Sequence, residues 1–284
     1  MLVYAAIGDA YGAAFEFLDY ARWPKNDGQH YYRQPDTGLG DGKYTDDTQM
    51  LAGVVDVMLK SGRHATPLEF ANKWHDQYNR DPRAGYAMGF KNLLESTENG
   101  EELIEKLIPK SSRSGAVMRA AVVGGLNNVH DVLDMAKRQA IITHDTPIAI
   151  ECAQAVALLA HFMIHKRGPR DQARGFVNDV LAGTRTVDWT EDRNDWATVE
   201  AVDCARNAVT AWYKSSTVTE VLVNSVAPGG DTDTVATIAM ALAWADPTIR
   251  DDLHVNMLND LETGVYGFEY LFDLNHRFVE RFCK

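Results

Sequence analysis

The sequence predicts an all-α fold in one domain spanning residues 1–284, and three observations carry that prediction. Apolar residues recur at helical spacing, as at Met50, Leu51, Val54, Val55, Met58 and Leu59. No alternating apolar–polar stretch is long enough to build a sheet. One helical segment follows another with short joins, and no fixed-period repeat or low-complexity linker divides the chain.

Taken in order, a first short helix is expected over Leu2–Ala6, ending at Gly8-Asp9-Ala10-Tyr11-Gly12. Small residues at 8, 10, 12, 13 and 14 imply close backbone approach there rather than a bulky core. Residues 18–43 mix Pro, Gly, Asn and aromatics without a period and read as a long structured loop. Thr45 is the expected cap of a helix over Asp46–Lys60, with Asp46 and Asp47 in its first turn, where the dipole and free N–H groups favour anions. Helices are expected over Pro67–Tyr78, Gly89–Leu94 and Glu101–Leu107, the first two separated by Asp81-Pro82-Arg83-Ala84-Gly85-Tyr86. A helical run Ala116–Gly124 follows Ser114-Gly115. Helices at 130–141 and 147–165 flank Thr143-His144-Asp145-Thr146-Pro147, with Thr146 as cap and Pro147 at the first helical position. Others are expected at 171–182, 197–213, 217–225 and 234–245. Residues 183–196, rich in Thr, Asp, Asn and Trp, read as a long surface loop, and the tail from Asp251 as helical.

With 284 residues the chain can bury a sizeable core, and 45% hydrophobic against 24% charged residues excludes wholesale disorder. A formal net charge of −12 argues against broad nucleic-acid or anionic-membrane binding, while leaving room for a small anion in a local pocket. Cys152, Cys204 and Cys283 are scattered and odd in number, and read as reduced thiols of a cytoplasmic protein. The most apolar stretch, Pro147–Ile164, is interrupted by Glu151, Gln154 and His161, so no membrane span is expected.

Two clusters carry chemistry. Gly229-Gly230-Asp231-Thr232-Asp233-Thr234 and Thr45-Asp46-Asp47-Thr48 each place carboxylates and hydroxyls at the mouth of an apolar helix. An N-cap explains one residue of each, not the whole set. If the fold unites them, four acids would gather at a cost only a cation relieves, and hard oxygen donors suit Mg²⁺ or Mn²⁺. Ser114-Gly115 before a helix offers an anion seat, though the pattern is common. Glu16 between Phe15 and Phe17 reads by itself as a surface acid, and His144 as a plain loop histidine.

In order along the chain, Gly8-Asp9-Ala10-Tyr11-Gly12 with Glu16, Tyr44-Thr45-Asp46-Asp47-Thr48, Ser114-Gly115-Ala116-Val117-Met118-Arg119, Thr143-His144 and the Gly229–Thr234 cluster resemble the ADP-ribosylglycohydrolases related to the dinitrogenase-reductase-activating enzyme. The resemblance covers roughly residues 3–245. It implies a compact domain of orthogonal helices around a binuclear Mg²⁺ cleft, with Mn²⁺ as a substitute. By this resemblance Thr45, Asp46 and Asp47 bind one ion, Asp231 and Thr234 the other, and Asp233 bridges them. Glu16 matches the acid beside the scissile bond; Ser114 and Gly115 match the pyrophosphate segment, His144 a residue near the distal ligand, and Gly85-Tyr86 a glycine-aromatic approach to the site.

The implied activity is Mg²⁺-dependent hydrolysis of the bond between ADP-ribose and a modified acceptor, foremost a protein side chain, with Glu16, Asp46, Asp47 and Asp233 as the catalytic set. The alternatives are hydrolysis of another ADP-ribosyl or phosphate-bearing molecule, or a non-catalytic binding or structural role. The sequence leaves the linkage open, and a monomer is the default expectation. Beyond Trp244 the chain departs from the family pattern.

Overall fold

The computed structural model describes residues 1–283. Thirteen α-helices occur among them: α1 Leu2–Gly12, α2 Asp46–Ser61, α3 Pro67–Arg80, α4 Met88–Ser96, α5 Gly100–Lys106, α6 Val129–Ala140, α7 Pro147–Ile164, α8 Arg170–Val180, α9 Ala201–Lys214, α10 Val218–Val226, α11 Thr232–Ala245, α12 Val255–Asn259 and α13 Phe268–Phe282. There is no β-strand among the described residues; isolated bridges such as Ala197–Gly230 tie loops together. The all-α expectation holds.

Two helices form the centre. α7 and α11 are made of small and medium apolar residues with little polar face, and both are buried nearly all round. Although α7 is long enough and apolar enough to cross a membrane, 72% of it is buried inside the fold, as befits a core helix. Around these two, α2, α3, α6 and α9 each bury one side.

The packing of α1 on α11 sets up the site. α1 runs on to Gly12 instead of ending at Ala6. The glycines that suggested a break are where α1 meets α11: a Cβ on Gly8 would lie 2.3 Å from the Ala236 carbonyl oxygen, and one on Gly12 2.4 Å from that of Thr232. Thr232 Oγ1 also donates to the Gly12 carbonyl at 2.8 Å. Tertiary contact outweighs the roughly 1 kcal/mol that each helical glycine costs.

Other boundaries differ for physical reasons. The expected helix Ala116–Gly124 is instead two 3₁₀ segments, Ser114–Ala116 and Ala121–Gly125. The second is β-branched and glycine-rich, poor in α propensity, and its Gly124 backbone presses on α7, where a Cβ would come 2.6 Å from the His161 nitrogen. The helix expected from 197 starts at Ala201, because Ala197 and Glu200 are held in bridges to Gly230 and Arg113. Thr146 precedes α7, but its hydroxyl donates to the Ser111 carbonyl rather than capping. The tail splits into α12 and α13 around Gly264, whose φ is +117°. The loop between α8 and α9 is pinned at its start: the Glu151 carboxylate accepts from the Thr186 and Val187 N–H groups at 2.7 and 3.0 Å.

Candidate metal centre and ligand cleft

Asp9 fastens the α2 entrance to α1, the helix that lies against α11. It is fully buried on α1, and its carboxylate accepts from both the backbone and the hydroxyl of Thr45 and of Thr48, at 2.6–3.0 Å. Burial pushes its pKa up to about 6 even against those hydrogen bonds. Thr45 is the cap of α2, accepting weakly from the Asp47 N–H at 3.4 Å while giving its own proton to Asp9. Asp9 belongs to a motif quoted above, yet sequence reasoning gave it no task. Its partners lie 36 or more residues away, so the only local signal was an acid among small residues.

A cavity of about 620 Å³ opens over these entrances. Glu16, Asp46, Asp47, Asp231, Asp233, Thr234, Ser114, Gly115, His144, Gly85 and Tyr86 all line it. Of the site residues assigned by the resemblance, only Thr45 does not line the cavity. Glu16, Asp231 and Asp233 each bring one carboxylate oxygen within 4.8 Å of the others. Glu16 is therefore grouped with the acids of the α11 entrance rather than standing apart from them.

Asp231 occupies the N-cap position of α11 without capping it. Its Oδ2 accepts from Ser114 Oγ at 3.1 Å and Cys204 Sγ at 3.3 Å. Asp47 Oδ1 is buried with no hydrogen-bond partner. The Asp46 carboxylate is cradled by Gly85, where a Cβ would come within 2.0 Å of Oδ1 and where φ is +99°. Burial, reinforced by neighbouring carboxylates, holds Asp46, Asp47 and Asp233 well above the usual carboxylate range. The same causes raise Glu16 to about 7. Mutually repelling carboxylates, an orphaned oxygen and a hard donor set fit a divalent cation.

Another part of the wall is polar in a different way. Arg119 is buried, lies with its guanidinium carbon 4.1 Å from the Trp74 ring centroid, and donates to Gln139 and, at 2.8 Å, to Thr143 Oγ1. With that oxygen accepting from Arg119, the Thr143 proton goes to His144 Nδ1, 2.6 Å away. That assignment puts the imidazole proton on Nε2. Burial, then the nearby Arg119 and Arg113, lower the His144 pKa to about 3, so the ring is neutral. It packs on Gly115, where a Cβ would sit 2.8 Å from Cε1. Ser114 has fewer free donors than its sequence context suggests: its N–H goes to the Val199 carbonyl and its hydroxyl to Asp231. Tyr86 donates its hydroxyl proton to Gln49 at 2.8 Å. Phe90, Leu93, Leu107 and Ile108 supply the apolar end.

Against known proteins, residues 1–245 match the profile of a family described as ADP-ribosylglycohydrolase. ADP-ribosylhydrolase ARH3 of Xenopus tropicalis is 28% identical over 174 residues, 57% of this chain and 49% of that protein, so the match spans about half the relative's length. ADP-ribosylhydrolase ARH3 of Mus musculus is 25% identical over 300 residues, covering 85% of this chain and 81% of that one. The ADP-ribosyl-[dinitrogen reductase] glycohydrolase of Rhodospirillum rubrum is 25% identical over 268 residues, 92% and 88% of the two chains. A solved ADP-ribosylglycohydrolase-related protein complex shares the fold, with TM-score 0.73 at 22% identity over 98% of this chain and 95% of that one.

Proposed function

The chain belongs to the ADP-ribosylglycohydrolase family, and from that premise we propose that it hydrolyses the glycosidic bond between ADP-ribose and a modified acceptor, a protein side chain foremost, with Mg²⁺ as cofactor. The observation that carries this reading is the acidic cavity floor, with Asp47 Oδ1 unpartnered and Glu16, Asp231 and Asp233 converging. Asp46, Asp47, Asp231, Asp233 and Thr234 would hold a pair of divalent cations. Thr45 would join them through a hydroxyl lone pair left free once Asp9 takes its proton. Bound there, Mg²⁺ would supply the positive charge that orients ribose hydroxyls and water.

The chain's own groups account for the rest. Glu16 sits half-buried with its pKa raised to about 7, so near neutral pH it can give a proton to a leaving group or take one from water. Cleavage through an oxocarbenium-like state also gains from a carboxylate held close by. The Gly115 segment and the Nε2–H of His144 offer donors to a pyrophosphate, and Phe90, Leu107 and Ile108 an apolar berth for a base. A cavity of this size lies within the roughly 300–1,000 Å³ common for small-molecule sites.

The test is mass-spectrometric detection of free ADP-ribose released from ADP-ribosylated protein. Wild type with Mg²⁺ is expected to release it, and Glu16→Gln to lose 10²-fold or more, in line with removal of an acid–base group worth about 10²–10⁴. Normal turnover by Glu16→Gln would refute the role given to Glu16.

A further inference from the structure

The hydrolase reading leaves one exposed cluster unused. Phe17, Tyr20 and Trp196 are 47%, 56% and 41% exposed. Their rings form a continuous face, with centroids 6.4 Å apart for Phe17–Trp196 and 6.1 Å for Tyr20–Trp196. Trp23 backs Tyr20 at 4.6 Å.

The cluster is fixed to the acidic floor. Phe17 directly follows Glu16, and its N–H donates to the Gly230 carbonyl at 2.9 Å, one residue before Asp231. Tyr20 donates its hydroxyl proton to the Pro228 carbonyl at 2.5 Å. Trp196 lies on Gly229, where a Cβ would meet the ring at 2.9 Å, so that glycine gives the ring its seat. The cavity wall includes Glu16 but none of these three rings. The exposed rings thus adjoin the cavity at Glu16 without lining it. A ligand whose ADP-ribosyl part fills the cavity with its scissile bond at Glu16 would bring its acceptor next to this edge.

Two further features separate this shelf from incidental exposed apolar surface. Phe17 has φ +48°, a left-handed conformation that large non-glycine side chains seldom adopt. That turn goes with Glu16 lining the cavity while the next ring is left in solvent. An exposed acid in no ion pair among the described residues, Asp19, also directly precedes Tyr20, whereas Asp195 before Trp196 is paired with Arg193 and Glu16 before Phe17 lines the cavity. The basic residues of the same segments are engaged: Arg22 with Asp36, Lys25 with Asp27, and Arg193 with Asp195 and Asp203. Aromatic faces beside an unpaired carboxylate attract cations.

We propose that Phe17, Tyr20 and Trp196 form an acceptor-side subsite that takes a cationic side chain of the acceptor polypeptide beside the scissile bond. This rests on the hydrolase reading for the placement of the acceptor beside Glu16. The shelf then selects among modified polypeptides by what flanks the modified residue, independently of the residue that carries the ADP-ribose.

The test compares two ADP-ribosylated peptides of identical linkage, one with lysines flanking the modified residue and one with alanines. Wild type is expected to favour the lysine peptide by roughly tenfold in kcat/KM, the scale of a partly desolvated cation–π contact. Trp196→Leu and Phe17→Gly should bring the ratio close to one. Phe17→Gly also relieves the backbone strain, so misfolding does not account for its loss of preference. Equal kcat/KM for both peptides in wild type, or a preference that survives both variants, overturns the proposal; so does preference for an ADP-ribosylated oligonucleotide over the lysine peptide. If neither peptide is hydrolysed, the hydrolase reading fails for that linkage, and calorimetric titration of the same peptides decides the shelf separately: tighter binding of the lysine peptide, erased by Trp196→Leu, supports it, and equal binding overturns it.

Discussion

Gly85→Ala is the substitution that probes the acidic floor most locally. A methyl at this position would lie 2.0 Å from Asp46 Oδ1, where ordinary contact begins at 3.4 Å. The carboxylate must therefore retreat by about 1.4 Å, or the loop must move. The φ of +99° adds a backbone penalty of roughly 1–2 kcal/mol for a residue with a Cβ. Because Asp46 faces a cavity, it can swing aside. The global stability loss should then stay near that backbone penalty, while the cation donor set takes the larger damage. Affinity for Mg²⁺ should fall at least tenfold, about 1.4 kcal/mol. Gly89→Ala is the internal control: it is four residues on, inside α4, with nothing within 4 Å of its would-be Cβ. Lying in the first turn of α4, it should gain no more than about 0.5 kcal/mol from helix propensity and leave Mg²⁺ affinity unchanged. Calorimetric titration of Mg²⁺ and thermal melts on both variants form the assay. Wild-type affinity in Gly85→Ala, or equal behaviour of the two variants, would refute the cradle argument.

Asp9→Asn keeps the shape but sets an amide NH₂ against hydroxyl and N–H donors of Thr45 and Thr48. It should cost about 2–4 kcal/mol in chemical denaturation and weaken Mg²⁺ binding as well, since it unclasps the α2 entrance; a midpoint equal to wild type would contradict this. The pH dependence follows from the raised carboxylates. Asp9 at about 6, Glu16 at about 7, and Asp46, Asp47 and Asp233 above their usual range contribute stability that is fully present below the unfolded values of 3.8 and 4.5 and is lost as pH rises through the folded ones. His144, lowered to about 3, acts in the opposite sense, losing stability as pH falls below 6.5. The rise in Tm caused by Mg²⁺, taken at each pH, isolates the acids and should grow between about pH 5 and 8 as the cation displaces protons. A Tm gain that shrinks over that range would count against the cation site.

The parts legible in the sequence are those written locally. The acids of Thr45–Thr48 and Gly229–Thr234 stand next to each other in the chain and ahead of apolar runs, so their presence at helix mouths could be read directly. Their convergence could be stated only as a condition on the fold. It depends on α1 lying against α11 through Gly8 and Gly12, a contact between residues more than two hundred positions apart. For the same reason the glycines that suggested the end of the first helix are its interface, and Asp9 had no visible partner. Glu16 read by itself as a surface acid because its neighbours are aromatic; in the fold one of them, Phe15, is core and the other, Phe17, is exposed. The 3₁₀ segments between Ser114 and Gly125 were hidden because small apolar residues satisfy a helical pattern whether the turn is α or 3₁₀. His144 looked like an ordinary loop residue because the Arg119–Thr143 chain that fixes its proton is tertiary.

The central claim is that the acidic floor holds a cation and that the cation and cavity together hold ADP-ribose. Calorimetric titration of ADP-ribose into the protein with Mg²⁺, again after chelation, and into Asp233→Ala tests it most directly. The account predicts binding in the first case and a loss of at least tenfold in the other two. Equal affinity in all three would contradict it.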